Sequence, residues 1–170
     1  MRRSTAAAVV AVALAAAGLG GAPAASAACE NPLTPIDVVN CVVPVTGTYS
    51  FNVALSPVQI PGLPGTGSGT SSVAMDAANN RVCATTTWTG IDPATLVAIH
   101  QGTQGQPPNP VPLVALSGAN PQSGASACTL VAPGEIGVIV KCPAQFNVVV
   151  QTRLHPDGAI RGQLGSTCSI

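Results

Sequence analysis

The chain has 170 residues, room for one domain and not comfortably two, and only 7% of them are charged, six Lys and Arg against six Asp and Glu. No basic patch is available to neutralise phosphates, so nucleic acid is excluded as an expected partner. With one Trp, one Tyr and two Phe, the core must be built from Val, Leu, Ile and Ala, and cross-links would offset some of the missing burial.

The first 27 residues read as a secretory signal peptide. Met1-Arg2-Arg3 is a basic start, Ala6 to Leu19 an apolar run, and Ala25-Ser26-Ala27 a small-residue cleavage site. A membrane span would need about 20 uninterrupted apolar residues, and this run breaks at Gly18, Gly20, Gly21 and Pro23. No other stretch offers a span, so none is expected in the mature chain. Beyond residue 27, four bases minus six acids leave a net charge of −2.

All six cysteines lie after the cleavage site: Cys29, Cys41, Cys83, Cys128, Cys142 and Cys168. An even number in an exported chain implies disulfides, and six allow 15 full pairings. No CxxC pair of the kind zinc sites use is present. Acylation of Cys29 as a lipoprotein anchor is the competing reading, but it would strand an odd number of thiols and lacks the large aliphatic residue where Ser26 sits.

Residues 28–45, with Pro32, Pro35 and Pro44, read as an N-terminal arm tied down by a disulfide, and residues 46–170 as the folded domain. From Thr46, Tyr49, Phe51, Val53 and Leu55 alternate with polar residues, the period of a half-buried strand. Ser56 to Ser71 is a Pro/Gly loop without the Gly-Lys-Ser/Thr ending of a phosphate cradle. Ser71–Asp76 and Arg81–Thr89 form a hairpin turned at Ala77–Asn80, where Asn tolerates the left-handed backbone. Val82, Ala84, Thr86 and Trp88 share one face of its second strand. Thr95–His100 and Val111–Leu116 are further strands, the latter beginning with a Pro, which suits an edge or a strand start. Loop is expected over Asn120–Ser126 and strand over Ala127–Ala132. The run after Pro133 is rich in β-branched residues, yet Glu135 in the first turn and Lys141 at the end favour a short helix near 134–141. Gln145–Leu164 is a terminal hairpin turned at His155-Pro156-Asp157-Gly158, with Pro at the first corner and Gly in the left-handed position. Eight or nine short strands with turn-rich loops predict an all-β antiparallel sandwich.

The order VALS at 53–56, GSGTSSVAMDAANNRVCATTTWTGID, LVAIHQGTQG and HPDGAIRGQL resembles the CHRD domain, found in chordin and in exported bacterial proteins. The resemblance covers about residues 51–165 and is most specific over Gly158–Leu164. It implies an immunoglobulin-like or superoxide-dismutase-like β-sandwich. It also suggests a Cys83–Cys128 disulfide, with Cys29–Cys41 then taken as a short local loop and Cys142–Cys168 as closing the C-terminal segment. The family commonly carries His-Ile-His-x-Gly where this chain has Ala98-Ile99-His100-Gln101-Gly102, and a further histidine where it has Gln151. Ala98 cannot ligate and Gln151 is a poor ligand, so no metal site and no cofactor are expected.

Catalytic signals are thin. No serine sits in a nucleophile elbow, and Asp76, Asp92 and Asp157 fall at turns where Asp bonds the backbone. The candidate ligand-binding residues are His100, Gln151 and Arg161. His100 is read as ordering the loop that follows it, and Arg161 as bonding backbone carbonyls or Asp157 near the hairpin end. The expectation is a secreted or envelope-associated, non-catalytic binding or structural module whose partner is an extracellular protein or envelope component. The alternatives are a metal-binding or redox protein of dismutase-like descent and an exported hydrolase.

Overall fold

The computed structural model describes residues 45–57, 66–117 and 122–169. The expected signal peptide, most of the expected arm and the expected Cys29–Cys41 pair lie outside the described residues. Strands β1 (Thr48–Leu55), β2 (Ser68–Asp76), β3 (Arg81–Thr89) and β6 (Gly124–Leu130) form one antiparallel sheet in the order β1-β2-β3-β6. Strands β4 (Ala94–Gln101), β5 (Pro112–Ser117), β7 (Phe146–Thr152) and β8 (Ile160–Gln163) form the other, ordered β5-β4-β7-β8. Helix α1 (Glu135–Lys141) and a 3₁₀ turn (Pro143–Gln145) join β6 to β7. The all-β sandwich and the short helix at Glu135–Lys141 agree with the sequence reading. No helix among the described residues is long and apolar enough to cross a membrane.

Alternation sets the core. Val53, Leu55, Val73, Met75, Val82, Ala84 and Trp88 turn inward from the first sheet; Val97, Ile99, Val114, Leu116, Val148, Val150 and Ile160 meet them from the second. Two inward positions of the first sheet are polar, Ser71 and Thr86. They stand opposite each other in the β2–β3 register and their hydroxyls bond at 2.8 Å, which satisfies both without water. Glu135 and Lys141 complement the dipole of α1, whose Ile136, Val138 and Ile139 are buried. The Glu135 carboxylate accepts the Ala132 N–H at 2.9 Å, so the acid holds the turn that leads into the helix.

Two strand starts differ from the sequence reading. β2 begins at Ser68 rather than Ser71, and β6 at Gly124 rather than Ala127. Both extra segments pair with β3: Ser68, Gly69 and Thr70 oppose Thr89, Trp88 and Thr87, while Gly124, Ala125 and Ser126 oppose Thr87, Thr86 and Thr85. A long central strand supplies ladder partners, and these override the turn preference of Gly and Ser. The hairpin turn is as read: Asn80 takes φ +49°, and Asp76 accepts the N–H groups of Ala78 and Asn79. The side-chain bond from Asn79 holds the Asp76 carboxyl below its ordinary range.

The terminal hairpin exists, but its loop runs from Arg153 to Ala159, longer than four residues. Gly158 N–H closes the His155–Gly158 turn on the His155 carbonyl at 3.1 Å, with Gly158 at φ +121°. A second turn precedes it, with His155 N–H on the Thr152 hydroxyl. Beyond this loop, β8 also meets the end of β1. Ser56 and Arg161 exchange backbone bonds of 2.9 and 3.2 Å, so the two sheets are stitched along one side.

Both described disulfides match the expected pairs. Cys83 faces Cys128 directly in the β3–β6 register, on the outer side of the first sheet. Cys142–Cys168 ties the C-terminal tail to the end of α1, where Ser169 N–H also bonds the Lys141 carbonyl.

Candidate functional site

Strand β7 is buried on both faces, which explains its apolar run, Phe146-Asn147-Val148-Val149-Val150, interrupted only at Asn147. Its inner residues meet the first sheet. Its outer residues, with those of β4 and β8, lie beneath the loop from Gly102 to Pro110. Register places His100 opposite Asn147, and Asn147 opposite Gln163; one row away Ala98 and Arg161 both flank Val149. Residues directly opposite, and residues two apart along a strand, point to one side. His100, Asn147, Gln163 and Arg161 therefore share the outer face, with Ala98 and Val149 as its apolar floor. His100, Asn147 and Arg161 are each 0% exposed.

These side chains bind the loop through its backbone. His100 Nδ1 lies 2.7 Å from the Asn109 carbonyl. A carbonyl only accepts, so Nδ1 carries the proton and the neutral ring leaves a lone pair on Nε2. Asn147 Nδ2 and Gln163 Nε2 both donate to the Gly102 carbonyl, at 2.9 and 2.8 Å. Gln163 Nε2 also reaches the Ala144 carbonyl, and Arg161 Nη1 donates to the Gln106 carbonyl. A polar loop of nine residues without secondary structure is thus held at three of its carbonyls.

Five further polar atoms of the same four residues are buried without a partner among the described residues: His100 Nε2, Asn147 Oδ1, Gln163 Oε1, Arg161 Nε and Arg161 Nη2. Burial pushes the His100 imidazole below its ordinary value, the Asn109 bond opposing this more weakly. Burial also lowers the Arg161 guanidinium.

The sequence singled out three residues for this region, and the fold brings two of them together. His100 does bond the loop that follows it, and Arg161 does bond a backbone carbonyl, that of Gln106 rather than one near its own hairpin. Gln151 stands apart. It opposes Leu96, four residues along β4 from His100, a separation of about 13 Å at the usual strand rise, and it is only half-buried. Asn147 and Gln163 were missed. Each carried a signal: Asn147 is a lone amide inside an apolar run, and Gln163 lies two residues from Arg161, hence on the same face. Among the described residues, no three His, Cys, Asp or Glu side chains gather as a ligand set.

The buried imidazole has a consequence for stability. The folded protein binds the His100 proton less readily than the unfolded chain. Its contribution is therefore complete above about pH 6.5, the unfolded value, and is lost as pH falls below that. Glu135 acts in the opposite sense, because burial raises its carboxyl and folding then favours the protonated acid. We expect the urea midpoint to drop between pH 7.5 and pH 5, and the drop to shrink in His100→Gln, which keeps an N–H for the Asn109 carbonyl and leaves Glu135 in place. Equal drops in the two proteins would refute the assignment.

No curated protein and no solved structure matches the chain. The family model of the CHRD domain matches residues 51–164, beginning within β1 and ending one residue past β8. The match takes in both sheets, the Cys83–Cys128 bridge and the whole buried polar cluster, and on it this chain belongs to the CHRD domain family, whose domains are non-enzymatic and of extracellular type.

Proposed function

We propose that this chain is a secreted or envelope-associated CHRD module that binds or supports a partner outside the cytoplasm and catalyses nothing. One observation carries the reading: each polar residue gathered on the second sheet commits a donor to holding a surface loop in shape. His100, Asn147, Gln163 and Arg161 each bond a backbone carbonyl under that loop. A general base or nucleophile must instead reach a substrate atom.

What the module presents outward suits recognition. The loop offers Thr103, Gln104 and Gln106, all exposed. The outer side of the first sheet offers an uncharged row of Asn52, Ser72, Thr85 and Ser126, beside Thr70 and Thr87. Export is supported by the leader-like start of the sequence and by the two disulfides, which fit an oxidising compartment.

The test uses the oxidised protein as bait for extracellular and envelope fractions. Capture of a partner that survives in His100→Gln supports the reading. A hydrolytic activity abolished in folded His100→Gln would overturn it, as would a stoichiometric copper or zinc that survives dialysis of protein purified without an affinity tag.

A further inference from the structure

Arg161 is the one cation of the buried cluster, and its charge is not balanced by any carboxylate among the described residues. Guanidinium does not lose its proton in proteins, so the charge persists when buried. An uncompensated buried charge is costly. The pattern of use is informative. Nη1 is committed to the Gln106 carbonyl, while Nε and Nη2 have no partner among the described residues. Those two nitrogens form the side-on edge of the guanidinium, the pair of parallel N–H groups that matches the two oxygens of a carboxylate.

The neighbours complete the chemistry. His100 is neutral, and Asn147 and Gln163 are amides, so the cluster carries a single positive charge and suits a single negative one. Asn147 Oδ1, Gln163 Oε1 and His100 Nε2 are acceptors without donors. Their amide nitrogens already serve the Gly102 carbonyl, so neither amide can turn over without losing that bond. A ligand that supplied two carboxylate oxygens to Arg161 and a hydroxyl proton would satisfy the fork and one of the three acceptors.

We propose that the face of β4, β7 and β8 beneath the Gly102–Pro110 loop is a binding site for a small monocarboxylate bearing a hydroxyl, held side-on by Arg161. The loop closes the site, because its Gly102, Gln106 and Asn109 carbonyls are bonded by the same residues that frame the ligand. Entry requires those bonds to open, so binding and loop order are coupled. The inference rests on the non-catalytic reading only in that the ligand is held and not converted.

The probes are glycolate, acetate and chloride, added to the oxidised protein at fixed ionic strength and pH 7.5. At 50 mM, acetate is expected to raise the thermal midpoint by about 4 °C over chloride, and glycolate to raise it further. In Arg161→Lys, which keeps the charge and loses the fork, all three salts should give one midpoint. The Arg161 Nε–H resonance of the unmodified protein gives a readout that does not depend on the variant folding, and it should shift saturably with glycolate. An unmoved resonance, or equal midpoints in acetate and chloride, would overturn the site and leave an ordered water as the only occupant of the fork. Equal effects of glycolate and acetate would overturn the hydroxyl requirement. A rise that persists in folded Arg161→Lys would place binding elsewhere. Conversion of glycolate to a product would instead overturn the non-catalytic reading and leave the site standing.

Discussion

Replacing Cys83 and Cys128 together by Ser is expected to lower stability by about 4 kcal/mol, the loop-entropy value for a bridge with a sequence separation of 45. For a domain of this size the loss corresponds to a fall of roughly 15 °C in the thermal midpoint. The two sulfurs lie on the outer side of the first sheet, where Cys128 is exposed, so little apolar burial is removed along with the bond. The native ladder between β3 and β6 is retained as well, including the Thr85–Ser126 hydroxyl bond at 3.0 Å. The effect should therefore come through the unfolded chain, which regains the freedom of a long closed segment. Urea unfolding of the oxidised protein against the double variant measures it, and the variant should show a larger m-value because its unfolded state is more open. A loss under about 1 kcal/mol would mean that β3 and β6 already associate in the unfolded ensemble and that the bridge constrains little.

Gly162→Ala is expected to cost about 3 kcal/mol or more, through overlap at the join between the sheets. A Cβ at this position would run into the Ala54 carbonyl and the Val53 side chain. The carbonyl belongs to the backbone of β1, which cannot move aside without opening the Ser56–Arg161 bridge next to it. Gly105→Ala is the control. It lies in the outer loop at φ +79° with nothing near its added carbon, so it meets backbone strain alone and should cost about 1 kcal/mol. Denaturation midpoints of the two variants separate the terms. Similar losses would show that close approach at the seam contributes nothing beyond backbone conformation. The same substitution should also disturb Arg161, whose backbone forms the bridge while its side chain reaches under the loop.

Much of this architecture was written in the order of residues. Alternation over Tyr49–Leu55 and Val82–Trp88 set which side of each strand faces inward, because neighbouring side chains on a strand point to opposite sheet faces. Pro133, Glu135 and Lys141 marked a helix that the β-branched residues between them argued against. The Pro156-Asp157-Gly158 turn was legible because each residue has its own conformational preference. Strand starts were less legible. Ser68 and Gly124 look like loop until the neighbouring strand offers them partners, and ladder pairing is a property of two segments at once.

The cluster beneath the Gly102–Pro110 loop belongs to the tertiary structure alone. His100 and Arg161 could be marked from the sequence as polar residues in unusual places, and Arg161 and Gln163 share a strand face by spacing. What they touch could not be read, since the partners are the carbonyls of Gly102, Gln106 and Asn109, and every residue has a carbonyl. Nor did the sequence separate Gln151 from His100; the antiparallel register of β4 and β7 does that, because a shift of four residues along a strand carries a side chain out of reach. By itself the sequence determined which faces are apolar, where the chain turns and which compartment its cysteines suit. Only the packing of β4, β7 and β8 under one loop decided that the buried Arg161 keeps an edge with no partner among the described residues.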